Sequence, residues 1–201
     1  MRRRTALSAF AGTGLFALAG CTGDAEPESE AIAAAFDGDV TRPECEVESE
    51  TVEVETNGET REYETAATIP YPAPPDGTGE EAVREYVVAF DEAYVTREAI
   101  CTQSHSTRIL SVAYSVDRTE TFERGAGGWI VYCLYAGGAT SGLDDGGLWA
   151  ADLGYTQVLY AVDETGAARV AFGEPIDPPR DVIESEGPDP VADGELVAVF
   201  E

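Results

Sequence analysis

Two residues whose types could perform chemistry together stand four positions apart, Cys101 and His105. A thiol beside an imidazole can act as a nucleophile and its base, and His105 is the single histidine of the chain. No catalytic motif surrounds the two residues, and Cys101 is also a candidate for a disulfide. We therefore predict no catalytic residue in this chain.

Two glycine-containing loops could in principle hold a cation or a phosphate. The loop Asp144–Gly147 offers carboxylate oxygens that suit Ca²⁺, but it lacks the spaced carboxylates of a known calcium loop. The loop Gly125–Gly128 lacks the lysine and the helix start of a phosphate-binding loop. One histidine and scattered cysteines argue against a zinc site. We expect no metal and no cofactor, and we interpret both loops as turns.

Three cysteines, Cys45, Cys101 and Cys133, could form one disulfide and leave one thiol. Closing the Cys45–Cys101 loop or the Cys101–Cys133 loop gives about 4 kcal/mol in the chain-entropy model, so entropy does not choose between them. Cys45 opens the first predicted hairpin and Cys101 ends the predicted long helix, whereas Cys133 lies in mid-strand, where a free thiol packs as a small apolar side chain. We predict Cys45–Cys101, with Cys101–Cys133 as the alternative.

The first predicted element that positions these residues is a β-hairpin over residues 46–65. Asn57-Gly58 is the strongest two-residue turn signal, because both central residues of such a turn need a positive φ. This turn pairs Val54 with Arg61 and places the apolar residues of the two strands on one face.

A single long helix is predicted next. Apolar residues recur there at i, i+4, i+7 and i+11, the spacing of one helix face: Val83, Val87, Phe90 and Tyr94. Thr78 is the predicted N-cap of a capping box with Glu81, and the helix should end near Cys101. Asp91 is placed outside the apolar stripe.

After the helix the apolar period changes from 3.6 to 2, which is typical of strands. Strands are predicted around residues 110–116, 129–135, 149–162, 169–172 and, as an edge strand, 196–200. Residues 129–135 are apolar on both faces, which predicts a strand inside the sheet. One face can take the helix, and the other must be covered by the hairpin, by the C-terminal tail or by a ligand.

The predicted fold class is α+β, with one long helix packed on an antiparallel sheet and preceded by a β-hairpin. Residues 43–201 are assigned to a single domain, with its core over about 78–172 and a C-terminal extension over 173–201. The order of a helix followed by a meander of strands resembles cystatin-like and nuclear-transport-factor-like α+β rolls over about 78–172. This resemblance implies a cone between helix and sheet that can hold a small hydrophobic molecule.

The start of the chain has the pattern of an export signal. Arg2, Arg3 and Arg4 precede an apolar stretch that is too short to span a bilayer. Leu18-Ala19-Gly20-Cys21 resembles the lipobox of bacterial-type lipoproteins, and Arg3-Arg4-Thr5-Ala6-Leu7 resembles a twin-arginine export signal.

These resemblances imply that residues 1–20 are a signal peptide and that Cys21 carries lipid after cleavage. The acidic, small-residue-rich segment 21–42 is then a tether that holds the domain off the membrane. The alternative is a buried N-terminal helix, which the correct order of the three signals argues against.

The composition is strongly acidic and contains no lysine. Of 201 residues, 39 are Asp or Glu and 12 are basic, all of them Arg, which gives a net charge of −27. Removal of residues 1–20 takes away three arginines and no acid, so the net charge falls to −30. In dilute buffer, so many carboxylates repel one another and destabilise the folded state. Molar salt screens this repulsion, because the Debye length there is about 3 Å. The pattern resembles secreted proteins of halophilic archaea and argues against nucleic acid as a partner.

Taken together, the chain resembles a haloarchaeal surface lipoprotein that a lipid anchor holds on the extracellular face of the cell membrane. The expected role is non-catalytic: binding of a protein or a small-molecule ligand, or a role in the envelope. One alternative is a small α+β-roll enzyme, which a pocket holding a carboxylate or His105 with a shifted pKa would favour. Another is an accessory subunit of a solute-capture system.

Overall fold

The computed structural model describes residues 31–102, 107–125, 127–143, 147–171, 173 and 177–201. The helices in these ranges are α1 (Ile32–Ala35), α2 (Glu80–Cys101), α3 (Arg180–Glu186) and α4 (Pro190–Asp193). The strands in the same ranges are β1 (Thr51–Thr56), β2 (Glu59–Glu64), β3 (Thr107–Arg124), β4 (Gly128–Leu143), β5 (Leu148–Val162), β6 (Gly166–Ala171) and β7 (Glu195–Val199). The fold is α+β, as predicted, with the hairpin β1–β2 ahead of the long helix α2.

Five of the described strands form one antiparallel sheet in the order β3-β4-β5-β6-β7. Strand β4 pairs with β3 on one side and β5 on the other, which explains why residues 129–135 are apolar on both faces. Strand β7 lies at an edge, as predicted. Its outer carbonyls are partly satisfied, because Thr41 N–H donates to Leu196 O (2.7 Å) and Arg42 Nη1 donates to Val197 O (3.1 Å), which blunts the edge against pairing with other chains.

The hairpin β1–β2 has the predicted register, with Val54 opposite Arg61. Asn57 and Gly58 both have positive φ, at 56° and 79°, as their two-residue turn requires. Val54 is buried against the backbone of Gly142 in β4, where an added Cβ would lie 2.7 Å from Val54 Cγ2. The absence of a side chain at Gly142 thus lets the hairpin rest on the larger sheet.

The predicted apolar stripe of helix α2 packs on one face of the sheet. Val83, Val87 and Phe90 are buried in a cluster with residues of the sheet such as Val131 and Val158. Tyr94 is only partly buried and packs at the margin of this cluster.

The predicted N-cap of α2 was wrong, because the helix begins after Gly79 without a side-chain cap. The carbonyl of Thr78 accepts a hydrogen bond from Trp129 Nε1 (2.7 Å). This bond ties residue 78 to the sheet, ahead of the first helical turn.

The second face of the sheet is covered mainly by the C-terminal tail, one of the three coverings that the sequence left open. Ile183 of α3 packs with Tyr132 and Leu159. Arg180 holds the start of this helix, since its Nη2 donates to Thr121 O (2.6 Å) and its Nη1 bonds Glu120. The two short helices α3 and α4 were not predicted. The sequence around them is rich in proline and acidic residues, and each helix buries too few apolar residues to give a periodic pattern.

The packed part of the chain begins earlier than the boundary at residue 43 that the sequence predicted. Ile32 of α1 is fully buried against Ala161, Ala168 and Leu196, and its N–H donates to Asp163 Oδ2 (2.9 Å). Burying one apolar side chain contributes about 1.5–3 kcal/mol, and backbone hydrogen bonds such as Thr41 N–H to Leu196 O add to it along the segment. Residues 31–42 therefore belong with the folded body, while residues 1–30 lie outside the described part.

A disulfide joins Cys45 to Cys101, with a Cα–Cα distance of 5.9 Å, as predicted. Cys133 is a free, fully buried thiol in β4. Arg97 reinforces the same corner, because Nη1 donates to Cys45 O (2.8 Å) and Nε donates to Ile69 O (2.8 Å). The last turns of α2 are thereby fixed to the segment that precedes the hairpin.

Replacing Cys45 by serine is expected to lower the free energy of unfolding by about 4 kcal/mol, because the unfolded chain regains the entropy of the open loop. Chemical denaturation in molar NaCl measures this change. Reducing the wild-type protein should reproduce the effect, and the variant should not respond to reductant. A Cys101–Cys133 linked peptide in a non-reducing digest would contradict the pairing.

Candidate functional site

A cleft opens where the long strands run past the end of helix α2. The helix has 22 residues and a length of about 33 Å at 1.5 Å per residue. Strands β3, β4 and β5 have 18, 16 and 15 residues, or about 50–60 Å at 3.3 Å per residue. One helix cannot cover strands of that length, and the space under its C-terminal turns is a cavity of about 480 Å³.

The described walls of this cleft come from one helix and three strands. The helix contributes Val95, Glu98, Ala99 and Thr102. The strands contribute Ile109, Tyr135, Gly137, Ala139, Ser141, Trp149, Ala151 and Thr156. Side chains of alternate residues point to one face of a strand, which brings the odd-numbered residues 135 to 141 of β4 together in the cleft.

The strand side of the cleft combines a flat floor with an exposed aromatic ring. Gly137, Ala139 and Ala151 have minimal side chains, so they leave a shallow shelf on β4 and β5. Trp149 at one end of this shelf is 59 % exposed, although large aromatic side chains are usually buried. Tyr135 at the other end is buried and stands opposite Thr156 in the register of β4 and β5.

Glu98 is the single charged residue among the described side chains that line the cleft. It is exposed in the last turn of α2. Within the described ranges its carboxylate takes part in no ion pair. The other polar side chains on the described wall carry hydroxyl groups, apart from the indole N–H of Trp149.

A buried polar cluster lies next to this cleft and ties α2 to the sheet. Asp91 is completely buried and accepts hydrogen bonds from Tyr160 Oη (2.6 Å) and Tyr114 Oη (3.0 Å). Arg169 Nε lies 3.4 Å from Asp91 Oδ1 and donates to Tyr160 Oη (3.0 Å). Its guanidinium also lies over the ring of Tyr94, 4.3 Å from the ring centre.

Burial and the neighbouring charges shift the pKa values of Asp91 and Arg169 in opposite directions. Burial raises the pKa of Asp91, while the charge of Arg169 and the hydrogen bonds from Tyr160 and Tyr114 act to lower it. Burial opposes the charged form of Arg169, but Tyr160 and Asp91 outweigh it and raise its pKa. Burial and the charge of Asp91 raise the pKa of Tyr114 far above its usual value. We conclude that Arg169 remains the counter-ion of Asp91.

The polar cluster does not open into the cleft. Tyr135 lines the cleft, and its ring lies 5.1 Å from the ring of Tyr114, which bonds Asp91. Burial, and the charge of Asp91 after it, raises the pKa of Tyr135 to about 12. Asp91 itself is not among the described lining residues, and its contact with the cleft wall runs through Tyr114 to Tyr135.

The residues singled out by the sequence fall into three groups. Cys45 and Cys101 are brought together, and their bond removes Cys101 as a free thiol. His105, Cys21, Asp144 and Asp145 lie outside the described residues. The Gly125–Gly128 loop joins β3 to β4, as a turn between strands should.

No group of three or more His, Cys, Asp or Glu residues in the described ranges is placed to hold a metal ion. None of the helices described there is long and apolar enough to cross a membrane.

Sequence reasoning placed Asp91 outside the apolar stripe, and this was wrong. Asp91 follows Phe90 directly and stands one turn after Val87, so it lies on the flank of the buried face. One signal in the sequence could have indicated a buried partner for Asp91: Arg169 is a charged residue in an otherwise apolar strand. Only the tertiary pairing of α2 with β6 brings the two charges together.

No protein-family model, curated protein or solved structure matches this chain.

Replacing Asp91 by alanine is expected to lower the free energy of unfolding by about 3–5 kcal/mol, because Arg169 then loses its buried counter-ion. Denaturant unfolding in molar NaCl gives the value. Glu92→Ala, an exposed neighbour on the same helix, should change it by less than about 0.5 kcal/mol.

The double variant Asp91→Leu with Arg169→Met separates charge pairing from packing. Apolar residues of similar size often replace a buried ion pair without loss, so the double variant should be more stable than Asp91→Ala. A cost below about 1 kcal/mol for Asp91→Ala would contradict the assigned role of the pair.

Proposed function

We propose that this protein is a lipid-anchored domain on the outer face of the membrane of a halophilic archaeon, and that it binds a small molecule in the cleft without transforming it. The observation that carries the binding role is the cleft itself. Its volume of about 480 Å³ falls in the range of small-molecule sites, about 300–1,000 Å³. Such sites combine apolar walls with a few polar groups, as this one does.

The state of the cysteines supports a role without catalysis. Cys101 is held in a disulfide and offers no thiolate. Cys133 is fully buried, and burial raises the pKa of its thiol, so it does not act as a nucleophile. Asp91, the carboxylate with a raised pKa, is fully buried and does not belong to the described lining of the cleft. A cleft of this kind suits a module that captures a solute and hands it on.

The disulfide and the hairpin surface support an extracellular, saline location. Structural disulfides persist in oxidising compartments and are rare in the cytosol. The register of β1 and β2 places Glu53 directly opposite Glu62. Like charges in opposed positions destabilise a hairpin, and molar salt relieves that cost by screening.

The attachment point of the N-terminal segment supports a cleft directed away from the membrane. The first described helix, α1, packs at the end of β5, where Ile32 N–H donates to Asp163. Trp149 and the cleft lie at the start of the same strand, which is about 50 Å long. An anchor at Cys21 would therefore hold the opposite end of the domain, and the cleft would face the medium.

The anchor is tested with Cys21→Ser in a halophilic host. Wild type should fractionate with membranes and show, by intact mass, an N-terminal Cys21 that carries lipid. The variant should lose the lipid and the membrane association, while the serine substitution Cys133→Ser serves as the control that keeps both. Wild-type protein with an unmodified N-terminal Met1 would contradict the anchor.

The binding role is tested by filling the cleft from one strand. Ala151 lines the cleft, whereas its neighbour Ala150 is exposed and points to the other face of β5. Wild type and Ala150→Phe, purified from membranes in molar NaCl, should release the same small molecule on denaturation, detected by mass spectrometry. Ala151→Phe should carry at least tenfold less. Equal retention in both variants, or no bound molecule in wild type, would contradict binding in this cleft.

A further inference from the structure

The geometry of the cleft points to the chemical class of its ligand: we propose a small organic cation with a planar apolar body and one ammonium group. The inference rests on the proposed binding role and adds a charge and a shape to it. Three features of the cleft support it: the shelf between β4 and β5, the ring of Trp149 and the carboxylate of Glu98.

The shelf and the ring favour a flat apolar body. Gly137, Ala139 and Ala151 leave space on the sheet that side chains of ordinary size would fill. Val95 and Ala99 of α2 face this space from the helix side. A planar group fits between two such surfaces and can stack at its edge on Trp149, which is 59 % exposed.

The lining favours a positive charge over a negative one. Glu98 is the charged residue on the described wall of the cleft, and no arginine belongs to that wall. Arg169 does not supply a positive charge to the cleft, because Asp91 and Tyr160 bind it and the ring of Tyr94 lies against it. An anion in the cleft would meet the Glu98 carboxylate, and the described lining offers it no compensating cation.

A carboxylate and an exposed indole together suit an ammonium group. An ammonium within about 6 Å of an indole face is attracted by the ring quadrupole, and contact with Glu98 adds a Coulomb term that salt weakens. We expect the charge to improve affinity up to about fivefold over a neutral molecule of the same shape, the size of an exposed cation–π contact.

The test compares three probes with the same aromatic body in titration calorimetry on the full-length, lipid-free Cys21→Ser protein in 2 M NaCl. The probes are phenethylammonium, 2-phenylethanol and 3-phenylpropionate. Phenethylammonium should bind more tightly than 2-phenylethanol, by up to about fivefold, and 3-phenylpropionate should bind most weakly. Glu98→Gln should remove the difference between the first two probes, and Glu92→Gln, an exposed glutamate on the same helix that does not line the cleft, should keep it.

The outcomes separate this inference from the binding role on which it rests. Trp149→Leu should weaken all three probes, since the exposed ring is part of the site. Equal affinities that Ala151→Phe abolishes would overturn the charge preference while leaving the cleft a binding site. Tighter binding of 3-phenylpropionate, or no binding of any probe at millimolar concentration, would also overturn the proposed ligand class. The mass-spectrometric experiment on endogenous molecules decides the binding role independently.

Discussion

A difference in length between one helix and the strands beneath it governs the architecture of this domain. An α-helix advances about 1.5 Å per residue and a strand about 3.3 Å, so the 22 residues of α2 reach along little more than half of β3. The apolar residues at one end of the sheet are buried under the helix. At the other end the sheet continues past the last turns of α2, and the small side chains of Gly137 and Ala139 leave the cleft there.

The cleft keeps its shape only if the helix cannot slide along the sheet, and contacts on both sides of α2 prevent this. On the sheet side, Asp91 receives hydrogen bonds from Tyr114 and Tyr160, and Arg169 pairs with it. On the outer side, Arg97 and the Cys45–Cys101 bond fix the last turns. The hydrogen bonds to Asp91 are directional and buried, so their geometry tolerates little displacement. The disulfide fixes the end of the helix that overhangs the cleft.

Local signals in the sequence predicted most of the fold because they depend on neighbours along the chain. The Asn57-Gly58 turn determines the hairpin register, and the 3.6-residue period of α2 determines which face it buries. The edge strand at the C-terminus and the partner of Cys101 followed from similar reasoning. The predicted N-cap at Thr78 was wrong: Gly79 takes that position, and the carbonyl of Thr78 accepts a tertiary hydrogen bond from Trp129 that no local pattern predicts.

The candidate site was less accessible to sequence reasoning because no local pattern encodes it. Asp91 and Arg169 are far apart in the chain and meet only when α2 packs on β6. The cleft arises from a comparison of element lengths, and strand lengths were underestimated: β3 and β4 extend well beyond the apolar stretches that identified them. Ile32 was missed as core because the acidic residues around it suggested a solvated tether.

The most direct test of the central claim is the accessibility of Trp149 in solution. The chain has two tryptophans, so Trp129→Phe leaves Trp149 as the single reporter and Trp149→Phe leaves Trp129. Acrylamide is neutral, and its quenching is insensitive to net charge and to salt. If the end of the sheet is open, Trp149 in the full-length protein is quenched severalfold more efficiently than Trp129 in 2 M NaCl. Quenching of Trp149 that is equal to or weaker than that of Trp129 would show that the cleft is closed, and would contradict this account.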